Sequence, residues 1–347
     1  MPEKRLNTAI IGTGMVAKTH LLAIADLQDK VHLSGIFSRS ADNAQIFAED
    51  AQELLGKNIK QYESVQEIAD DPEVDFVILL TPPNARLEIT KTLAKKGKAI
   101  LMEKPIERSL PAAEQIVEIC QSADVKLGIV FQHRTRAASQ KLAELMRANT
   151  FGKLCIVDVC VPWWREQAYY DEPGRGTYER DGGGVLISQA IHSLDLMLSL
   201  TGDVSQVQAM ARTSALHQME SEDYVSAGLE FSNGAIGSLL ATTANFPGDT
   251  ESIVLHFEQA VVELKTGELK ISWHDGKTEH FGNESTSGGG ADPMAFTHEW
   301  HQAIIEDFAD SLLQNKDPLI TGKEGLKVHK LIDALVRSSA QKCAVKL

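Results

Sequence analysis

The sequence predicts an α/β Rossmann domain joined to an α+β domain with an open, mostly antiparallel sheet. Three observations carry that prediction. Short apolar strands alternate with amphipathic helices through the first third of the chain. Gly12-x-Gly14-x-x-Ala17 falls between the first strand and the first helix. From Val204 onwards, strands follow one another with turn residues between them and no crossover helices. A chain of 347 residues suits two domains. The change of pattern puts the division at 130/131, with a dinucleotide-binding domain over 1–130 and a substrate-binding and oligomerisation domain over 131–347.

Thr8 to Ile11 is a short apolar strand, and helical spacing of Val16, Ala17, Leu21, Ile24 and Ala25 follows it. A second strand runs from Val31 to Phe37. Ser40 is placed to cap a helix through Leu55. Asp75 leads into a buried strand, Phe76 to Leu80, which Pro82-Pro83 stops. A helix over Arg86 to Lys96, a strand over Ala99 to Met102, a helix with Pro111 in its first turn and a strand over Lys126 to Phe131 complete the parallel sheet.

Beyond Arg136, a helix (Ala137 to Ala148) leads to a strand from Leu154 to Val161, a polar aromatic loop and a helix from Val185 to Leu200. Strands are then predicted over Val204–Arg212, Tyr224–Phe231, Ala235–Thr243, Ser252–Phe257, Val261–Lys265 and Leu269–His274. Ser232-Asn233-Gly234 and Thr266-Gly267 supply turn signals. Ser285 to Ala291 reads as a Gly/Ser-rich mobile loop. Helices over Phe296 to Gln314 and Gly322 to Ser339 close the chain.

Composition bounds the partners. A net charge of −14 opposes binding to duplex nucleic acid or to an anionic membrane surface. No apolar run approaches the ~18 residues of a membrane span, and the N-terminal residues carry no signal core, so a cytoplasmic protein is expected. Cys120, Cys155, Cys160 and Cys343 form no CxxC pair and read as reduced thiols. His298 and His301 beside Glu299 do not make HExxH, and no residue spacing suggests a metal site.

The glycine run is the mechanistic signature of a dinucleotide site. Gly12 permits the tight turn, Gly14 permits close approach to a pyrophosphate, and Ala17 permits close helix–strand packing, with the helix N-terminus facing the phosphates. Thr13, Met15 and Val16 lie in the same loop, and Thr81, Pro82 and Asn84 at the end of a neighbouring strand. At the ribose position, where an acidic residue favours NAD, the chain has Ser38-Arg39-Ser40. A hydroxyl and a guanidinium without a carboxylate favour NADP, with NAD the alternative if Arg39 stacks on adenine.

Glu103-Lys104-Pro105 stands at the carboxyl end of a parallel strand, where ligands of doubly wound sheets bind. A lysine there suits proton removal from a hydroxyl as hydride leaves, and Glu103 joins it among the expected cofactor contacts. Pro105 admits a cis peptide bond. A second constellation is Gly182-Gly-Gly184 followed by Ser188, Gln189, His192 and Asp195. The spacing puts Ser188, His192 and Asp195 on one helix face, and the glycines open that helix end to a ligand. Gln132-His133-Arg134 follows the last parallel strand and fits a substrate contact or a linking role equally.

Ala9-Ile-Ile-Gly-Thr-Gly-Met-Val-Ala17, Glu103-Lys-Pro105 and Gly182-Gly-Gly184…His192-x-x-Asp195 together resemble the glucose–fructose oxidoreductase / inositol dehydrogenase / rhizopine catabolism (Gfo/Idh/MocA) family over nearly the whole chain. The resemblance implies nicotinamide-dependent redox chemistry at a sugar or cyclitol hydroxyl. It makes Lys104 the catalytic lysine and His192 the acid/base or substrate-orienting histidine. One departure stands out. Many polyol dehydrogenases of the family have an aspartate four residues before the histidine, whereas this chain has Ser188, so proton transfer rests on Lys104 and His192.

Ser188-Gln189, and Trp163-Trp-Arg165…Tyr169-Tyr170…Arg175-Gly-Thr-Tyr178, are similar to members acting on nucleotide sugars or uronic acids. Gly174 replaces the tryptophan expected there. Aromatic faces suit sugar CH patches, and Arg165 or Arg175 suits a carboxylate or phosphate. The expected activity is hydride transfer between NADP or NAD and a secondary hydroxyl of a sugar, sugar acid, cyclitol or nucleotide sugar. Two rivals share these residues: a non-catalytic dinucleotide- and sugar-sensing protein, and an enzyme with transient oxidation and internal cofactor recycling. An open sheet with an exposed apolar face also predicts a homodimer or homotetramer.

Overall fold

The computed structural model describes residues 5–283 and 296–347. In chain order its elements begin β1 (Leu6–Ile11), α1 (Ala17–Asp26), β2 (Val31–Phe37), α2 (Ala41–Leu55), β3 (Lys60–Gln61), α3 (Val65–Asp70), β4 (Phe76–Leu79), α4 (Arg86–Lys95), β5 (Ala99–Glu103), α5 (Leu110–Ser122) and β6 (Leu127–Val130). They continue with α6 (Ala137–Arg147), β7 (Leu154–Pro162), α7 (Gln167–Tyr170), α8 (Ile191–Thr201), β8 (Val204–Arg212), β9 (Tyr224–Phe231), β10 (Ile236–Thr242) and β11 (Ser252–Phe257). The last are β12 (Ala260–Lys265), β13 (Glu268–Trp273), β14 (Thr278–Gly282), α9 (Glu299–Leu313), α10 (Gly322–Gln341) and β15 (Val345–Lys346). The predicted Ser285–Ala291 loop lies outside the described residues.

Two compact units result, Met1–Gln132 with Thr297–Leu326, and His133–Phe296 with Lys327–Leu347. In the first, six parallel strands take the order β3-β2-β1-β4-β5-β6. That is the Rossmann order, with its reversal between β1 and β4. Strands buried on both faces are continuous apolar runs, and Phe76-Val-Ile-Leu79 is buried throughout. Helix ends follow local chemistry. Ser40, Ser64 and Ser109 each accept a hydrogen bond from a backbone N–H of the helix they precede.

The sequence assigned everything after residue 130 to the second domain, but Thr297–Leu326 packs with the first unit. Phe308 of α9 meets Phe76 at 5.5 Å and lies so close to Gly128 that an added Cβ would sit 2.6 Å from its ring. Lys30 pairs with Glu306 and Asp310 at 2.7 and 3.3 Å. These contacts join positions about 180 to 280 residues apart, a distance over which local periodicity carries no signal.

The second unit contains a nine-stranded sheet in the order β14-β13-β12-β11-β7-β10-β9-β8-β15. Successive hairpins were expected from Val204 on, yet β10 and β11 are not partners. β7 lies between them, parallel to β10 and antiparallel to β11. Side chains alternate from Ile156 on, so Val157, Val159 and Val161 are buried while Ile156 and Ile236, paired across β7 and β10, are exposed.

Candidate functional site

The first unit gathers the expected dinucleotide residues and Lys104 at the carboxyl ends of β1, β4 and β5. Gly12 has φ +102°, and a Cβ there would lie 2.9 Å from the Thr81 nitrogen. Glycine is what lets the β1 turn close against the end of β4. A Cβ on Gly14 would meet nothing within 4 Å. Helix α1 has no side-chain cap and no acidic residue in its first turn, so no carboxylate of its own first turn competes there with an anion, while its Ala17 and Thr19 N–H groups donate to the Gly14 and Val16 carbonyls. Thr13 and the exposed Met15 border this open turn, and Val16 is the capping position.

The Thr13 hydroxyl donates to Ser38 Oγ at 3.2 Å, and Arg39 is exposed beside it at the end of β2. Pro82 and Asn84 are exposed, and the buried Thr81 hydroxyl has no hydrogen-bond partner among the described residues. An open glycine turn, an uncapped helix and an orphaned hydroxyl fit a dinucleotide.

Lys104 follows β5, is half-buried, and precedes a cis peptide bond to Pro105. The fully buried Arg86 donates to the carbonyls of Glu103, Pro105 and Thr81, which ties the Lys104 turn to the end of β4. Burial lowers the Arg86 guanidinium to about 10. Glu103 is buried with His20 and His301, and the three place potential ligand atoms within 4.8 Å of one another. Sequence spacing found no such cluster, because its members come from α1, β5 and α9.

In the second unit the predicted helix over Val185–Leu200 begins instead with a π-helical turn, Leu186–Ala190, before α8. The wide turn changes the angle between Ser188 and His192 from that of a regular helix, so the predicted shared face is not one α-helical face. The glycine run also has a different use from the one expected. A Cβ on Gly184 would lie 1.8 Å from the Glu222 carbonyl oxygen, and the Glu222 carboxylate accepts from the Gly184 and Leu186 N–H groups at 3.2 Å. A carboxylate of this chain therefore occupies the helix end. Burial raises the Glu222 carboxyl, although those backbone donors oppose the rise.

His192 is buried and stacks on His133, with centroids 4.8 Å apart and planes at 26°. Arg136 donates to His133 Nε2 at 2.5 Å and to Glu251 at 2.7 Å. Accepting from a guanidinium leaves the His133 ring neutral, with its proton on Nδ1. Asp195 holds Arg134 through two bonds of 2.7 Å. His133 and Arg134, which sequence left between a substrate and a linking role, thus buttress α8.

The aromatic loop divides in two. Trp163 donates to Glu251 and Tyr170 bonds Thr243, both buried, so these rings are packing residues rather than the sugar platforms expected. Tyr169 has the guanidinium of Arg175 at 4.9 Å and that of Arg165 at 5.7 Å from its ring, and Gln189 Nε2 donates to its hydroxyl at 3.4 Å. Arg165 is buried, and its NH1 donates to the Trp164 carbonyl. Arg175 bonds Glu172 through Nε, and its two terminal nitrogens have no hydrogen bond among the described residues.

Two family models match the chain, "Oxidoreductase family, NAD-binding Rossmann fold" over residues 6–131 and "GFO/IDH/MocA C-terminal domain" over 139–263. The chain belongs to the Gfo/Idh/MocA family. It is 28% identical to the rhizopine catabolism protein MocA of Rhizobium meliloti over 57% of this chain and 58% of that protein. It is 23% identical to the myo-inositol 2-dehydrogenase of Thermotoga maritima over 99% and 98%. Among solved structures, the WlbA dehydrogenase of Bordetella pertussis, in complex with NADH and UDP-GlcNAcA, is 26% identical with a TM-score of 0.83 over 99% of both chains.

As a Gfo/Idh/MocA member the chain is an NAD(P)-dependent oxidoreductase with an NAD-binding Rossmann fold. No helix among the described residues is long and apolar enough to cross a membrane. The residues that sequence reasoning missed are His20, His301, Arg86 and Glu222. His20 lies eight residues after Gly12 on the first helix, a position that spacing alone reads as packing.

Proposed function

We propose that this oxidoreductase oxidises a secondary hydroxyl of an anionic sugar, a uronate or nucleotide sugar, and reduces the corresponding ketone. The observation that carries the substrate class is the pair of guanidiniums on Tyr169, with Arg175 keeping two free donors, because a forked donor matches a carboxylate or phosphate. When bound, the nicotinamide supplies the hydride acceptor or donor. Lys104 takes the hydroxyl proton at Nζ in the oxidising direction and returns it in the other. His192 orients that hydroxyl or relays its proton, held flat by the His133 ring. Ser188 and Gln189 hydrogen-bond the sugar, and Ser188, having no carboxylate, leaves the proton to Lys104 and His192.

Arg39, exposed beside Ser38 with no acid at that position, supports NADP as the preferred dinucleotide. The exposed Ile156, Met210 and Ile236 on the uncovered face of the second sheet support a homodimer or homotetramer through that face.

Fluorescence titration with NADP and NAD, then a panel of D-glucuronate, D-galacturonate, UDP-N-acetylglucosaminuronate, D-glucose and myo-inositol, tests the reading. Higher kcat/KM for the charged sugars supports it. A clear preference for neutral sugars or inositol would overturn the assignment of an anionic substrate. Light scattering at the mass of a single chain would remove the oligomer.

A further inference from the structure

His20, Glu103 and His301 are 0%, 5% and 1% exposed. His20 Nε2 lies 2.9 Å and His301 Nε2 3.5 Å from the same Glu103 oxygen, Oε1, and the two rings meet edge-on at 5.0 Å. The other oxygen, Oε2, accepts the backbone N–H of Lys104 at 3.1 Å. The groups facing this carboxylate are therefore His20 from α1, His301 from α9 and the Lys104 amide from its own strand end. Arg86 of α4 donates to the Glu103 carbonyl.

Two imidazole nitrogens and a carboxylate oxygen are also ligands that zinc accepts. Tetrahedral bonds of ~2.0–2.1 Å would, however, hold two ligand atoms about 3.3 Å apart. The His20 contact at 2.9 Å is that of a hydrogen bond. Burial by itself raises the Glu103 carboxyl, but the bonds from His20 and His301 outweigh it and hold the group well below the usual carboxylate range. Burial keeps His301 below the usual imidazole value. An ionised carboxylate only accepts, so both histidines carry their proton on Nε2.

We propose that His20 and His301 are positioning residues for Lys104, which pin the Glu103 carboxylate so that it fixes the backbone amide from which the lysine side chain departs. The inference rests on the reading of Lys104 as the proton-transferring group. A lysine gives up most of its rotamer freedom when ordered. A displacement of ~1 Å at a reacting group costs on the order of 100-fold in rate. A turn held by Arg86 at its carbonyls and by the His–Glu–His cluster at its amide supplies that order before substrate arrives.

The test uses the full chain with both histidines changed to leucine, or both to glutamine, whose amide nitrogen reaches the Nε2 position. The first readout needs no sugar: the rate at which trinitrobenzenesulfonate labels Lys104, read by mass spectrometry of its peptide. The leucine variant is expected to label at least threefold faster than wild type, and the glutamine variant close to wild type. In turnover with UDP-N-acetylglucosaminuronate, D-glucuronate and myo-inositol, the leucine variant is expected to lose 10- to 100-fold in kcat with KM and dinucleotide affinity unchanged.

Unchanged labelling in a folded leucine variant would overturn the proposal. So would an equal loss in both variants that follows only their melting temperatures. One zinc per purified wild-type chain, absent from the leucine variant, would replace the hydrogen-bonded cluster with a metal site. Lys104→Ala separates this from the parent reading. Full activity there removes the lysine's role, whereas its loss together with wild-type labelling in the leucine variant removes only the positioning.

Discussion

Lys104 and His192 lie in different units, and the two units surround them with opposite electrostatics. Beside Lys104 sits one carboxylate, Glu103, with two imidazoles and, among the described residues, no arginine or lysine side chain bonded to its oxygens. In the second unit two carboxylates near His192 and His133 are each matched by a guanidinium, Asp195 by Arg134 and Glu251 by Arg136. His192 stacks on the His133 ring, which accepts from Arg136. On the proposed reading Lys104 transfers the proton and His192 orients the hydroxyl.

The comparison breaks most decisively at Lys104. Lys104→Met is expected to lower kcat by roughly 1,000-fold, within the range for loss of a general acid–base. Fluorescence titration should show dinucleotide affinity within a few fold of wild type. If turnover survives, proton transfer belongs to the His192 end.

Next in size is Asp195→Asn, which leaves the Arg134 guanidinium without its carboxylate in a buried site. A loss of about 3 kcal/mol in unfolding free energy is expected by denaturant titration, since removing one partner of a buried pair costs that order. A loss below 1 kcal/mol would mean that the pair does not hold α8.

Arg175→Ala should act on binding alone, raising KM for uronates about 10-fold while kcat stays near wild type, the signature of a lost ground-state contact. The same change against myo-inositol should be small. A fall in kcat for both substrates would place Arg175 in the chemistry instead.

The smallest effect is a slope. Glu103 has a folded pKa depressed below its unfolded value of about 4.3. Its contribution is therefore present above that value and is lost as pH falls through the folded pKa. The melting-temperature advantage of wild type over Glu103→Gln should narrow as the pH is lowered from about 6 to about 3. An advantage that grows on acidification would reverse the sign assigned to this carboxylate.

Much of this protein was legible without coordinates. The Rossmann half follows from buried strands such as Phe76–Leu79 and from caps such as Ser40 and Ser109, which act within a few residues. Gly12 declared itself through its place between a strand and a helix. Gly182–Gly184 was misread because a glycine run signals close approach without saying to what, and the partner is Glu222, 38 residues away. Trp163 and Tyr170 were misread for a related reason, since an aromatic residue in a polar loop gives no sign of whether its polar atom is already bonded.

The sequence by itself determined the alternation of elements, the dinucleotide turn and the strand-end Lys104, because turns, caps and apolar periodicity are short-range properties of the chain. Only the tertiary structure decided that α9 returns to the first unit, that β7 separates β10 from β11, and that His20 and His301 meet Glu103. Those outcomes depend on which buried surfaces and polar groups find one another across distant parts of the chain, and no local pattern encodes that pairing.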